Sequence, residues 1–214
     1  MQNKTQGQLQ QGLAAMGFDL PPNRQEKLIA YVELLAKWNK AYNLTAVRAI
    51  DQMIPLHILD SLSLLPFMSK VTRVLDVGTG AGLPGVPLAI VCPEISFQLV
   101  DSQQKKINFI QHVITSLAIP NVTAMQHRIE TLEPSLAADM VVSRAFASLD
   151  EFVKLVGHLC NANTKIVAMK GRRELALQEV QALPANFALI NIESVQVPGI
   201  NAERCLVFLQ KKEG

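Results

Sequence analysis

The sequence predicts an α/β fold: a mostly parallel, doubly wound sheet, closed at one edge by an antiparallel hairpin and preceded by a helical segment. Three observations predict it. Short apolar runs alternate with helical patterns from residue 73 onward. A glycine-rich turn joins the first of these runs to the helical pattern that follows it. The last two runs have no helical pattern between them. A chain of 214 residues can bury a sizeable core, and this length suggests one main domain with an appended segment.

The elements follow in order. In "PNRQEKLIAYVELLAKWNKAY" (22–42), Leu28, Tyr31, Val32, Leu35, Trp38 and Tyr42 recur at three- and four-residue steps, which puts them on one face of a helix. Pro21 and Pro22 suit its start. A second helical piece is expected over about 56–67, after Pro55. Residues 1–70 are therefore read as a helical extension, packed as one unit with residues 71–214. Strands are expected at 73–77, 95–100, 122–126, 139–143 and 165–170, with helices near 84–92, 103–117, 148–160 and 172–182. The segments 187–197 and 205–210 read as the closing antiparallel pair. In such a sheet ligands bind at the carboxyl ends of the strands, which here means just after Val77, Val100, Gln126, Val142 and Met169.

Composition narrows the function classes. Hydrophobic residues make up 49% and charged residues 18%, as in a folded globular protein. The apolar runs are too short to span a bilayer, and the N-terminus lacks the pattern of a signal peptide, so a cytoplasmic protein without membrane association is expected. Cys92, Cys160 and Cys205 are odd in number and far apart, which reads as buried reduced thiols. Four histidines without ligand spacing give no metal site. A formal charge of +2 permits a nucleic-acid partner without demanding one.

The stretch "VLDVGTGAGLPGVPLAI" (74–90) is the most informative. It is not a phosphate-binding P-loop, because no G-K-[ST] follows. Gly80 to Gly85 satisfies G-x-G-x-x-G, and Asp101 stands about 20 residues on, so the pattern alone leaves a dinucleotide open. Three features count against it. Gly78 already opens the loop, the carboxylate of Asp76 sits in the strand end, and Pro84 removes a donor where a pyrophosphate needs one. S-adenosylmethionine has no phosphates but carries an ammonium that Asp76 can help to hold, directly or through water. Gly80 and Gly82 let the backbone pass close to such a cofactor, and Asp101 suits its ribose hydroxyls.

Six segments carry a resemblance, with their order along residues 20–210: "WNKAYNLTAVR" (38–48), "HILDSL" (57–62), "LDVGTGAGLPGVPLAI" (75–90), "RIE" (128–130), "VSRAFASL" (142–149) and "MKG" (169–171). Together they resemble the bacterial glucose-inhibited division protein B family, the 16S ribosomal RNA guanine-N7 methyltransferases. The resemblance implies a Rossmann-like class I S-adenosylmethionine-dependent methyltransferase domain over 71–214, and a monomer is expected. It implies a substrate guanine in 16S rRNA of the small ribosomal subunit, in the nucleotide-527 region. By motif position it places cofactor contacts on Gly78, Leu83, Ile129, Glu130 and Arg144.

The residues are compatible with that chemistry. Guanine N7 has a free lone pair, so no strong general base is required, and rate comes from alignment and electrostatics. The fourth strand's exit, Ser143-Arg144-Ala145-Phe146, has neither a nucleophilic cysteine nor an Asp/Asn-Pro-Pro-aromatic run. Arg144 is the candidate catalytic residue: it can contact cofactor, base or phosphate, or it can form an ion pair that holds the loop. Lys170, Arg172 and Arg173, with Lys37, Lys40 and Arg48, can contact phosphates or form a solvated basic face. His57 and Asp60, one helical turn apart, are expected to hydrogen-bond and tie the extension to the core, while Trp38 packs in the core and Lys105 and Lys106 are surface residues. Three other readings stay open on the residues alone: a small-molecule methyltransferase, an NAD-dependent oxidoreductase and a non-catalytic module that binds an adenosyl cofactor.

Overall fold

The computed structural model describes residues 2–133, 138–144, 146 and 148–213. Ala145 and Ala147 of the "VSRAFASL" block lie outside the described residues. Helices α1 (Gln2–Ala15) and α2 (Pro22–Tyr42) come first. A helical run follows, made of α3 (Ile50–Met53), a π-helical turn (Ile54–Leu59) and α4 (Asp60–Leu62). The alternating part comprises β1 (Arg73–Val77), α5 (Gly85–Val91), β2 (Ser96–Asp101), α6 (Gln104–Leu117), β3 (Val122–Gln126), β4 (Met140–Ser143), α7 (Leu149–Val156), β5 (Lys165–Lys170) and α8 (Arg173–Val180). The chain closes with β6 (Phe187–Val195) and β7 (Arg204–Lys211).

The seven strands lie in the order β3-β2-β1-β4-β5-β7-β6. The first five are parallel, with Val77 opposite Val100 and Asp76 opposite Val142. β7 inserts antiparallel between β5 and β6. The order reverses at β1, so the exits of β1 and β4 diverge there and leave a crevice.

Side-chain alternation divides the core into two layers. Val74, Phe97, Leu99, Met140, Val142, Val167 and Met169 face one layer, which they share with Leu9 and Leu13 of α1, Leu28, Val32 and Leu35 of α2, and the buried sides of α5 and α6. Leu75, Val100, Val141, Ile166 and Ala168 face the other, under α7 and α8. Both faces are covered, which is why these strands read as nearly continuous apolar runs. The N-terminal helices thus share a core with the sheet, where each fully buried Leu contributes about 1.5–3 kcal/mol. Gly12 is part of this fit: a Cβ there would stand 2.3 Å from Leu59 Cδ1.

Two expectations about the extension are corrected. The helical run begins at Ile50, not near 56. Pro55 lies inside it, and the π-helical turn accommodates the missing N–H. Tyr42, expected on the apolar face, is 47% exposed. Asn39 is buried instead, accepting from Thr45 N at 2.9 Å and donating to Val47 O at 3.0 Å, which fixes the turn after α2.

Candidate active site

The glycine loop leaves β1 as an extension of its pairing with β2: the N–H groups of Gly78 and Thr79 both donate to Val100 O, at 2.9 and 3.1 Å. Gly78 (φ 67°) and Gly80 (φ 62°) take left-handed backbone angles, which only glycine adopts without cost. Gly80 N donates to Asp101 Oδ2 at 3.0 Å. Gly82 N and Leu83 N donate to Thr79 O at 3.0 and 2.8 Å. Gly85 N, at the start of α5, donates to Asp76 Oδ2 at 2.9 Å. Pro84 has no N–H. The donors that a pyrophosphate would use are therefore bonded within the protein, and the α5 N-terminus faces a carboxylate of the chain itself. From the far side, Tyr31 of α2 donates its hydroxyl to Ala81 O at 2.8 Å. Burial pushes the Tyr31 phenol above its ordinary pKa, so it remains a donor.

Asp76 is fully buried under this loop. Its Oδ2 also accepts from Thr79 Oγ1 at 2.6 Å, whereas its buried Oδ1 has no hydrogen-bond partner. Burial raises its pKa from 3.8 to about 6, against the opposing pull of the Thr79 and Gly85 hydrogen bonds. A buried acceptor of this kind suits a ligand that brings a donor, and S-adenosylmethionine brings an ammonium.

Beside the loop, at the exits of β1, β2 and β3, a cleft of about 350 Å³ opens. Gly78, Asp101, Ile129 and Glu130 line it, as the sequence reading expected. Asp101 is 6% exposed and held by three bonds: Gly80 N, Gln103 N at 2.9 Å to Oδ1, and Lys106 Nζ at 3.2 Å to Oδ2. Lys106 is therefore a wall of the cleft rather than a plain surface residue, which corrects the expectation. Phe146 lines the cleft with its ring stacked on Phe152 at 5.2 Å. Gly80 does not line the cleft; it bonds Asp101, which does. Gly82 faces inward, where a Cβ would meet Val86 Cγ2 at 2.5 Å, and Leu83 is buried in the core.

Arg144 lines a second cavity, of about 310 Å³, at the exits of β4 and β5. Its Nη1 donates to Leu56 O and to Asp60 Oδ2, each at 3.0 Å. Arg204, which opens β7, donates through Nε to the other oxygen of Asp60 at 3.1 Å. Asp60 is buried, so one carboxylate from the extension joins two arginines that the chain brings from distant strands. The expected His57–Asp60 bond is replaced by this arrangement: His57 Nε2 bonds Thr45 Oγ1 at 2.9 Å and Nδ1 bonds Leu56 O. Burial, with the Arg144 charge second, lowers the His57 pKa from 6.5 to about 4. Two residues apart on the chain, Arg144 and Phe146 face different cavities, so the β4 exit stands between them.

The side chains of the basic cluster after β5 have different surroundings. Lys170 lines the second cavity and pairs with Glu179 at 2.8 Å, Arg173 bonds Ile192 O, and Arg172 is exposed. The three thiols are free and buried, and burial holds those of Cys92 and Cys160 at about 11 and 12. Among the described residues, no group of three or more potential ligands could hold a metal, and no helix is long and apolar enough to cross a membrane.

Two solved structures share this fold. Among solved structures, a SAM-dependent methyltransferase from Aquifex aeolicus aligns with a TM-score of 0.55 at 17% identity, over 73% of this chain and 92% of that one. The [4+2]-cyclase SpnF aligns with a TM-score of 0.60 at 13% identity, over 91% and 98%. At such identities the likeness shows the Rossmann-like fold alone, and a cyclase beside a methyltransferase makes the point. Sequence relatives are far nearer. The ribosomal RNA small subunit methyltransferase G of Azoarcus sp. is 47% identical over 205 residues, 96% of each chain. That of Nitrosococcus oceani is 43% identical over 95% of this chain and 94% of its own. The model of the family described as rRNA small subunit methyltransferase G matches residues 24–207, and with these relatives it shows that the chain belongs to that family.

Proposed function

We propose that this protein transfers a methyl group from S-adenosylmethionine to N7 of a guanine in 16S rRNA, in the nucleotide-527 region, as a cytoplasmic monomer. One observation carries the cofactor assignment: the glycine loop bonds its own N–H groups and sets Asp76 at the α5 N-terminus, where a phosphate would otherwise sit. Family membership carries the substrate class.

When bound, the cofactor supplies a sulfonium methyl group, which is the electrophile. Asp76 favours the ammonium end through its unpartnered Oδ1, and Asp101 offers its remaining acceptor capacity to the ribose hydroxyls. Ile129 and Glu130, which line the cleft, would flank the adenine, with Ile129 giving an apolar wall. The cavity next to the β4 exit receives the target guanine. Arg144, Arg204 and Lys170 border it and present donors suited to O6 and to phosphate oxygens. The lone pair of guanine N7 would be the nucleophile toward that methyl group. No proton leaves N7, so the enzyme needs no general base there. Its work is alignment and control of charge.

The test is transfer of radiolabelled methyl to small subunits from a strain lacking the modification, followed by nucleoside analysis. Label in 7-methylguanosine supports the proposal. Cofactor binding without label in RNA would favour the small-molecule methyltransferase, and absence of cofactor binding would return the dinucleotide reading.

A further inference from the structure

The rim of the cofactor cleft continues onto a surface that neither the cofactor nor the target base uses. α6 starts directly after β2, and its Lys106 lines the cleft. The end of α2 meets α6 there: Lys105 Nζ donates to Tyr42 O at 3.1 Å. From this junction a row of rings runs away from the cleft. The Tyr42 ring lies 5.1 Å from Trp38, and Trp38 lies 5.2 Å from His112 of α6. Trp38 rests on the buried Phe109 at 5.6 Å, which anchors the row to the core. Core packing does not account for its outer members, because Tyr42 is 47% exposed and His112 is exposed.

From residue 34 toward the cleft, charge on this surface has one sign. Residues 34–50 hold Lys37, Lys40 and Arg48 and no acid, and residues 102–129 hold Lys105, Lys106 and Arg128 and no acid. Of the acids of α2, Glu26 lies near its start, and the exposed Glu33 stands one turn before Lys37, away from the Tyr42 end. Lys37, Lys40, Arg48 and Lys105 are exposed, and among the described residues none of the four has a carboxylate partner. A chain of net charge +2 thus concentrates unbalanced cations beside exposed π-faces. That combination matches unpaired RNA, whose bases stack on aromatic rings and whose phosphates follow basic side chains.

We infer that the α2–α6 surface, with Tyr42 at its centre and Lys37, Lys40 and Lys105 around it, holds the single-stranded RNA that flanks the target guanine. The inference rests on the rRNA reading above and adds a place and a mode to it: a stacking platform with a phosphate track, continuous with the cleft. It also explains why a fold sufficient for methyl transfer carries a long amphipathic helix ending at this rim.

The test uses the full chain and Trp38, the single tryptophan, as its built-in probe. A stem-loop RNA of the small-subunit sequence is titrated onto the protein with S-adenosylhomocysteine present, and Trp38 fluorescence is followed. Methyl transfer to unmodified small subunits is measured in parallel. Expected are quenching of Trp38, a KM for subunits about tenfold higher in Tyr42→Ala with kcat unchanged, and recovery in Tyr42→Phe. The triple variant K37E/K40E/K105E raises KM at least tenfold and lowers the salt dependence of binding by about three phosphate contacts. S-adenosylhomocysteine affinity stays at the wild-type value in every variant, which verifies the fold. Wild-type KM and undiminished RNA binding in these variants, with active wild-type enzyme, overturn the surface assignment and leave the rRNA reading standing. RNA binding that quenches Trp38 and depends on Tyr42, without methyl transfer by the wild type, supports the surface and removes the proposed reaction.

Discussion

With the cofactor's ammonium held by the buried carboxylate of Asp76, as proposed, cofactor affinity depends on pH in a definite direction. Desolvation places its pKa at about 6, some two units above the ordinary 3.8. Two units correspond to roughly 3 kcal/mol between protonation states. Below about pH 4 the group is protonated in both the folded and the unfolded chain. Between 4 and 6 the unfolded chain ionises while the folded one keeps its proton. This residue alone therefore lowers stability as pH rises through that window, and Asp76→Asn removes the slope. His57 acts in the opposite sense. Its pKa of about 4 keeps the ring neutral in the fold, so its contribution to stability is lost as pH falls from 6.5 toward 4. The two variants Asp76→Asn and His57→Gln separate the contributions in urea titrations. With the ammonium placed at Oδ1 as proposed, the ionised carboxylate is favoured, so binding should strengthen as pH rises through 6. At pH 5 about a tenth of the Asp76 side chains are ionised, so S-adenosylhomocysteine should bind about tenfold more weakly than at pH 7.5. Calorimetric titration across that range measures it, with proton uptake or release read from buffers of different ionisation enthalpy. An affinity that is flat with pH in the wild type, or tighter at pH 5, would refute the reasoning.

Three further outcomes are expected. Asp60→Ala removes the shared partner of Arg144 and Arg204; breaking a buried pair costs about 3–5 kcal/mol, and since the two arginine side chains are 23% and 27% exposed the loss should fall near 3 kcal/mol in chemical denaturation. Arg144→Ala should reduce methyl transfer sharply while circular dichroism and S-adenosylhomocysteine affinity remain those of the wild type; wild-type turnover would remove Arg144 from the mechanism. Gly80→Val places a β-branched residue at φ 62°, where glycine alone is unstrained, and should abolish cofactor binding by calorimetry; unchanged affinity would sink the loop assignment.

Local features of the fold were legible because local physics sets them. The α2 face, the strands at 73–77, 122–126 and 165–170, and the helix-free return between the last two strands each follow from periodicity or from turn residues. α1 was visible only as part of a helical region, because it is polar and holds Gly7 and Gly12, and its packing against Leu59 is a property of the partner. Pro55 was read as a helix start because proline favours one, while the π-helical turn that absorbs it has no sequence signature. At the cleft, Gly78, Asp101, Ile129 and Glu130 came together as expected, since strand exits converge in this topology. Lys106 was missed although it stands five residues after Asp101, close enough to fold back on it. The Asp60–Arg204 pair could not be seen: its members are 144 residues apart, and no periodic pattern links them.

The central claim is that the reaction occurs at one ring nitrogen of one guanine. Its most direct measurement is site mapping on small subunits from a strain lacking the modification. After incubation with protein and S-adenosylmethionine, the rRNA is reduced and cleaved at 7-methylguanine, and the break is located by primer extension. The account predicts a single new break in the 527 region of 16S rRNA, absent without cofactor and strongly reduced with Arg144→Ala. Methyl label incorporated with no such break, or a break elsewhere in the rRNA, would contradict it.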